Sequence, residues 1–335
     1  MRTPEHIILS RTDSIGDVML TLPTAGLLKQ HFPGVRITFI GRSYTAPVLA
    51  CCEHVDGIIT LEELAMDNTN HPVERLRSLD ADTLVHVFPQ RDIARWGKRA
   101  AIPHRIGTSH RLWHWSTCNE RVPFSRRKSN LHEAQLNVKL LAPLGVEDAP
   151  SLASLRRLYG FKAPLPTEAV RNYLRPDRIN VVLHPGSRGS AAEWGLSNFA
   201  ALISMMDPSV YQCIITGTAI EREGYATHLP LDLPHVVDAG GAITLEQLVM
   251  LIGGAQALVA ASTGPLHIAA ATGIRAIGLY ASRRPIHPGR WAPLGADAHA
   301  LVNDVDCTDC AAGKACTCIG RIDPQRVMDL IIALR

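Results

Sequence analysis

Short apolar runs alternate with longer amphipathic stretches along this chain, a pattern that predicts repeating strand–helix units. In the first half, Ile7–Ser10, Arg36–Ile40, Gly57–Leu61, Thr83–Phe88 and Arg105–Gly107 read as strands. A helix is expected from about Val18 to His31, closed by Phe32-Pro33-Gly34. Another is expected over Leu131–Leu141, with Leu136, Leu140 and Leu141 as its stripe and Ala142-Pro143 as its stop. Between Asp148 and Ile179 the periodicity fades and Pro150, Pro164, Pro166 and Pro176 gather, which marks a linker region. The alternation then restarts. Asn180–Ser187 is a strand running into a glycine turn, and Ser197 can cap a helix whose core face is Phe199, Leu202, Ile203 and Met206. Tyr211–Thr216, Ala257–Ala261 and Ala276–Tyr280 read as further strands, and Thr244-Leu-Glu-Gln247 has capping-box spacing ahead of a helix that stops at Gly253-Gly254. Asp323-Pro324 opens a last helix with Val327, Leu330, Ile331 and Leu334 on its apolar face. The expected class is α/β, with two doubly wound parallel sheets. The domains are placed at 1–165 and 166–320, with a terminal helix at 321–335.

A length of 335 residues and 46% hydrophobic content suit two buried cores and argue against disorder. Net charge is only +3, but ten Lys or Arg residues stand between Arg91 and Lys128 against two acids, Asp92 and Glu120. Such a field attracts phosphates, carboxylates, an acidic membrane surface or nucleic acid. Trp96, Trp113, Trp115 and Phe124 lie among these charges, so nucleic acid is a rival, and a solvated charged face is the plain alternative. No signal peptide is visible, and the most apolar long window, Ala257–Ala281, carries polar groups a bilayer would not tolerate. A soluble, cytoplasmic protein is expected.

Candidate chemistry gathers at turns. After the first strand come Asp13 and Asp17, where one acid could simply cap the helix. Ala261-Ser-Thr-Gly-Pro-Leu-His267 opens another helix: Ser262 or Thr263 can cap it, Pro265 suits its first turn, and Gly264 allows close backbone approach. Unpaired N–H groups and the helix dipole make such an end an anion site, with His267 one turn in. A capped buried helix with a satisfied histidine is the bland reading. At His184-Pro-Gly-Ser187-Arg188, Ser187 and Arg188 can donate to phosphate. Cys307, Cys310, Cys316 and Cys318 could complete a tetrahedral zinc site. Zinc sites usually come as two paired knuckles, however, and Cys-x-Cys is an awkward chelate, so the sequence weighs against structural zinc.

Three of these segments resemble, in order, the signatures of the bacterial heptosyltransferases of glycosyltransferase family nine. They are Gly16-Asp17 with Thr21-Leu-Pro23, His184–Ser187, and Ser262-Thr-Gly-Pro-x-His267. The resemblance implies a GT-B architecture, two Rossmann-type domains facing across a cleft. It implies an inverting, metal-independent transferase that needs no cofactor and moves a sugar from a nucleotide sugar, ADP-heptose. Asp17 matches the catalytic base. Ser187, Arg188, Glu221, Ser262, Thr263, Gly264 and His267 match the donor site, Glu221 reading the nucleoside. Asp13, Arg105 and Arg111 are assigned to the acceptor, an anionic lipopolysaccharide core glycolipid at the cytoplasmic face of the inner membrane, so nucleic acid is not the expected partner. His132-Glu133 resembles a family pair and reads as packing or capping. Two departures stand out: Ser262 replaces an Asp that contacts the donor sugar, and Ala192 replaces a basic residue two places before Trp194. Two rivals remain, a nucleotide-sugar epimerase of similar architecture and a non-catalytic bilobed binding protein. The oligomeric state is open.

Overall fold

The computed structural model describes residues 3–66, 71–126, 129–146, 148–314 and 316–334. The chain divides into two compact units, Met1–Lys162 and Ala163–Arg335.

The first unit holds six strands, β1 (His6–Ser10), β2 (Arg36–Gly41), β3 (Gly57–Thr60), β4 (Thr83–His86), β5 (His104–Thr108) and β6 (Glu120–Val122). They form one parallel sheet in the order β3-β2-β1-β4-β5-β6. The second unit repeats this with β7 (Ile179–His184), β8 (Tyr211–Ile215), β9 (Val236–Asp238), β10 (Ala257–Ala261), β11 (Arg275–Tyr280) and β12 (Ala298–Val302), ordered β12-β11-β10-β7-β8-β9. Each is a doubly wound sheet. In such sheets the connections leave in opposite directions at one pair of neighbouring strands, and that opens a crevice beyond their carboxyl ends. Here the pairs are β1 with β4 and β7 with β10.

Central strands covered on both faces need apolar residues at every position. Ile7, Ile8 and Leu9 of β1 and Leu258, Val259 and Ala260 of β10 are accordingly fully buried. In the second unit, Phe199, Leu202 and Ile203 pack with Val181, Leu183 and Val259, and the last helix (Pro324–Ile332) adds Val327 and Ile331 to the same core.

Four local readings change. The expected Leu131–Leu141 helix is an α-helix over Glu133–Val138 that tightens into a 3-10 helix over Lys139–Leu144, and Pro143 lies inside that last turn rather than stopping it. The expected Val18–His31 helix is two helices, Ile15–Met19 and Leu22–His31. Pro23 has no N–H to bond back one turn, and Thr21 instead turns its hydroxyl onto Asp17 O at 2.8 Å. Ser197 does not cap its helix: Gly195 does, at φ +98°, a left-handed position suited to glycine. The short strands β6, β9 and β12 carry too little apolar pattern to be read from sequence.

Candidate active site

In the first unit the site grows from the carboxyl end of β1. Arg11 follows that strand and is buried. Its Nε donates to Asp13 Oδ1 at 2.7 Å, its Nη2 to Asp17 Oδ1, and its Nη1 to Glu133 Oε1 and Asn137 Oδ1, both at 3.1 Å. Arg126 closes the cluster, donating to Glu133 Oε1, to Asn137 Oδ1 at 3.1 Å and to Val87 O at 3.1 Å. Asn137 in turn donates to Leu20 O and Thr21 Oγ1. Glu133 therefore neutralises the buried Arg11 and the half-buried Arg126, whereas His132 caps its helix by accepting from Ala134 N. Sequence reasoning missed Arg11, Arg126, Glu133 and Asn137 as site residues. The available signal was an arginine placed directly after an otherwise apolar central strand.

The two aspartates differ in charge state. Burial pushes Asp17 up, but Arg11 and the Ser14 hydroxyl outweigh it, and its carboxyl lies below the usual value of 3.8. Burial also pushes Asp13 up; Arg11 pulls it back, and the negative Asp17 pushes it up again, to about 7. Neither acid caps the helix, where Ser14 takes the N-cap position and Asp17 sits in the first turn.

Near the carboxyl ends of β1 and β4 several buried polar atoms are unsatisfied. Ser10 Oγ, Thr12 Oγ1, both ring nitrogens of His86, His114 Nε2 and Trp113 Nε1 are buried without a partner among the described residues. The His86 and His114 rings lie 5.3 Å apart, and burial holds His86 neutral, with its pKa lowered to about 3. Buried donors and acceptors are nearly always paired in a complete structure, so these atoms suit ordered water.

The basic residues separate. Arg105 lies at the amino end of β5, away from the strand ends that carry Asp13 and Asp17. Its guanidinium is used on backbone carbonyls, Thr117 O at 2.8 Å and Ile102 O. Arg111 lies beyond the carboxyl end of β5, exposed, with its guanidinium 5.6 Å from the Trp113 ring centre. Arg127 and Lys128 fall outside the described residues.

In the second unit, the turns after β7 and β10 flank the crevice between those strands. The helix Gly264–Thr272 starts after β10 with Pro265 in its first turn. Thr263 occupies the N-cap but its side chain makes no capping bond, and Thr263 Oγ1 is buried without a partner among the described residues. His267 is buried one turn in, and Ser262 is half-buried ahead of the helix.

The β7 turn carries a group the sequence reading did not weigh. Glu193 Oε1 accepts from Ser187 N at 2.8 Å and from Ser187 Oγ at 2.9 Å. Both Ser187 donors are thus taken by a carboxylate. Arg188 stands exposed at φ +50°. Glu221 is a capping residue: its Oε2 accepts from Thr218 N and Oγ1 at the start of the helix Ala219–Tyr225. Its other oxygen lies where a Cβ on Gly186 would fall. The four cysteines, dispersed in sequence, come together, with all four Sγ atoms within 4.8 Å of one another.

Two doubly wound parallel units, each with polar machinery beyond its switch-point strands, define a GT-B glycosyltransferase fold. The chain belongs to glycosyltransferase family 9 (heptosyltransferase), whose family model matches residues 96–318. It is 25% identical over 316 residues to a Haemophilus influenzae protein named only at the level of glycosyltransferase, covering 90% of this chain and 87% of that one. It is 23% identical to lipopolysaccharide heptosyltransferase 3 of Escherichia coli, over 83% of this chain and 84% of the relative. Among solved structures, E. coli ADP-heptose lipopolysaccharide heptosyltransferase II superposes with a TM-score of 0.74 at 20% identity, covering 98% of both chains. No helix among the described residues is long and apolar enough to cross a membrane.

Proposed function

We propose that this chain transfers heptose from ADP-heptose to an anionic lipopolysaccharide core acceptor, with inversion at the anomeric carbon. The observation that carries the reading is Asp17, held ionised by Arg11 and Ser14 at the carboxyl edge of the first sheet. An ionised carboxylate there can take the proton from an acceptor hydroxyl as its oxygen attacks the sugar. The C–O bond to the diphosphate breaks as the new glycosidic bond forms, and ADP leaves with the growing negative charge.

The second unit supplies groups suited to that charge: the amino end of Gly264–Thr272 and the unsatisfied Thr263 hydroxyl. Ser187 can join them once Glu193 swings away. Ser262 bears on which sugar is held, because it stands where the family's heptosyltransferases have an acid. For the acceptor, Arg111 and Arg121 lie among the exposed Leu112 and Trp115, a mixed basic and apolar patch that suits an anionic glycolipid at a membrane surface.

The test is ADP release from ADP-heptose, measured with and without heptose-deficient core saccharide. Acceptor-dependent release, together with a heptose mass increment on the saccharide, is expected. Conversion of the donor without acceptor would select an epimerase instead, and no turnover with any nucleotide sugar would sink the transferase reading.

A further inference from the structure

We infer that Cys307, Cys310, Cys316 and Cys318 form a four-thiolate site for a structural zinc ion. Their Sγ atoms all lie within 4.8 Å of one another, with Cys307–Cys316 at 3.3 Å and Cys310–Cys318 at 3.5 Å. A tetrahedral metal about 2.3 Å from each sulfur places the sulfurs about 3.8 Å apart, in the middle of that range. A disulfide needs about 2.05 Å, and all four cysteines are free.

The backbone is already shaped for chelation. Cys307 precedes the short helix Thr308–Ala311, which places Cys310 one turn on. Gly313 then takes φ +70°, a left-handed turn that reverses the chain and returns Cys316 towards Cys307. Cys318 N donates to Cys316 Sγ at 3.3 Å, the sort of N–H contact that orients a metal-bound sulfur. Cys307, Cys310 and Cys318 are buried and Cys316 is half-buried, so solvent reaches the group little. The sequence objection, that Cys316-x-Cys318 is a poor chelate, is met by the fold, which brings the sulfurs of 316 and 318 within 4.8 Å of each other and of the other two. The two shortest contacts, 307 with 316 and 310 with 318, each join one cysteine from either side of the turn.

The ion would fix a segment with little regular structure of its own. The described residues between β12 and the last helix run through short turns, and a cross-link removes much of the conformational freedom of such a loop. Its far end is bound to the β7 turn region. Trp194 Nε1 donates to Ile322 O at 2.8 Å, and Asn198 Nδ2 donates to Gly320 O at 2.9 Å. Trp194 adjoins Glu193, the residue bonded to Ser187. The ion therefore stabilises the loop against which the donor turn rests. That last consequence depends on the donor assignment; metal binding does not.

The experiment is metal analysis of the full-length protein purified under reducing conditions, followed by exchange with cobalt(II). One zinc per chain is expected. Cobalt loading is expected to give thiolate-to-metal charge transfer and the intense visible bands of a tetrahedral four-sulfur site. Cys310→Ser and Cys318→Ser should lose most of the metal, while Cys51→Ser, outside the cluster, keeps it. If those serine variants do not fold, cobalt titration of the unaltered chain still decides. Three results would overturn the proposal: failure to bind either metal, a weak octahedral cobalt spectrum, or peptide masses showing Cys307–Cys316 and Cys310–Cys318 disulfides in the reduced preparation. Stoichiometric iron in place of zinc would overturn the choice of metal. Because none of these readouts is turnover, a failed site and a failed transferase reading are told apart.

Discussion

Replacing Asp17 by Asn tests the reaction at its centre. Asparagine keeps the size of the side chain and can still accept from Arg11, but it cannot take a proton. General-base help is worth about 10²–10⁴-fold in rate, which is about 3–5 kcal/mol of barrier at 1.36 kcal/mol per factor of ten. Asp17→Asn should lose turnover by that factor with donor affinity nearly unchanged. The fold should persist, because Asp13 and Glu133 still face the buried Arg11. The pH profile separates the two carboxylates independently of mutation, since a base works only when deprotonated. Asp17 lies below 3.8, so kcat/KM should stay level as pH falls from 8 through 5. If Asp13 were the base, kcat/KM would fall about tenfold per unit below pH 7. Stability should show the other sign. Asp13 is raised in the folded state, so the native protein holds its proton between its unfolded value near 3.8 and about 7. Stability from this group is then greatest at low pH and lost as pH rises through that window. Asp13→Asn should consequently flatten the fall in melting temperature between pH 5 and pH 8. An acid limb in kcat/KM near pH 7 that vanishes in Asp13→Asn, with Asp17→Asn still active, would refute the assignment of the base.

Four further substitutions probe the remaining groups. Thr263→Val removes a buried hydroxyl that has no partner among the described residues, so thermal stability should hold or rise. Binding of ADP, measured by calorimetry, should weaken by about tenfold or more, as for loss of a hydrogen bond to a charged group. Glu193→Gln removes the negative charge that occupies Ser187, and ADP should bind several-fold more tightly; unchanged affinity would mean the Ser187 turn does not meet the diphosphate. Arg105→Ala should lower stability by about 1–3 kcal/mol, through the carbonyls it leaves unpaired, without changing the acceptor KM. Arg111→Glu should raise that KM while the melting temperature stays within about a degree or two, the behaviour of an exposed charge.

The sequence by itself determined the α/β class and most central strands, because a strand buried on both faces must be apolar throughout, as Ile7–Leu9 and Leu258–Ala260 are. It also located the turns that carry Asp17 and Gly264, since strand, glycine and helix follow one another in the chain. Helix ends set by local bonds were legible too: the Thr244–Gln247 capping box forms as read. What the chain order could not carry were groups that meet only in three dimensions. Arg11 finds Glu133 across 122 positions, and the difference between Asp13 and Asp17 arises from that buried charge network. The charge count around Arg91–Lys128 could not distinguish Arg105, folded back onto carbonyls at the amino edge of the sheet, from Arg111 beyond the carboxyl edge, because edge is a property of strand direction. The cysteines make the same point. Spacing made Cys316-x-Cys318 a poor chelate, while the Gly313 reversal pairs each with a cysteine from the other side of the turn. Local signals come from neighbours along the chain; charge state and coordination depend on neighbours in space, and only folding assigns those.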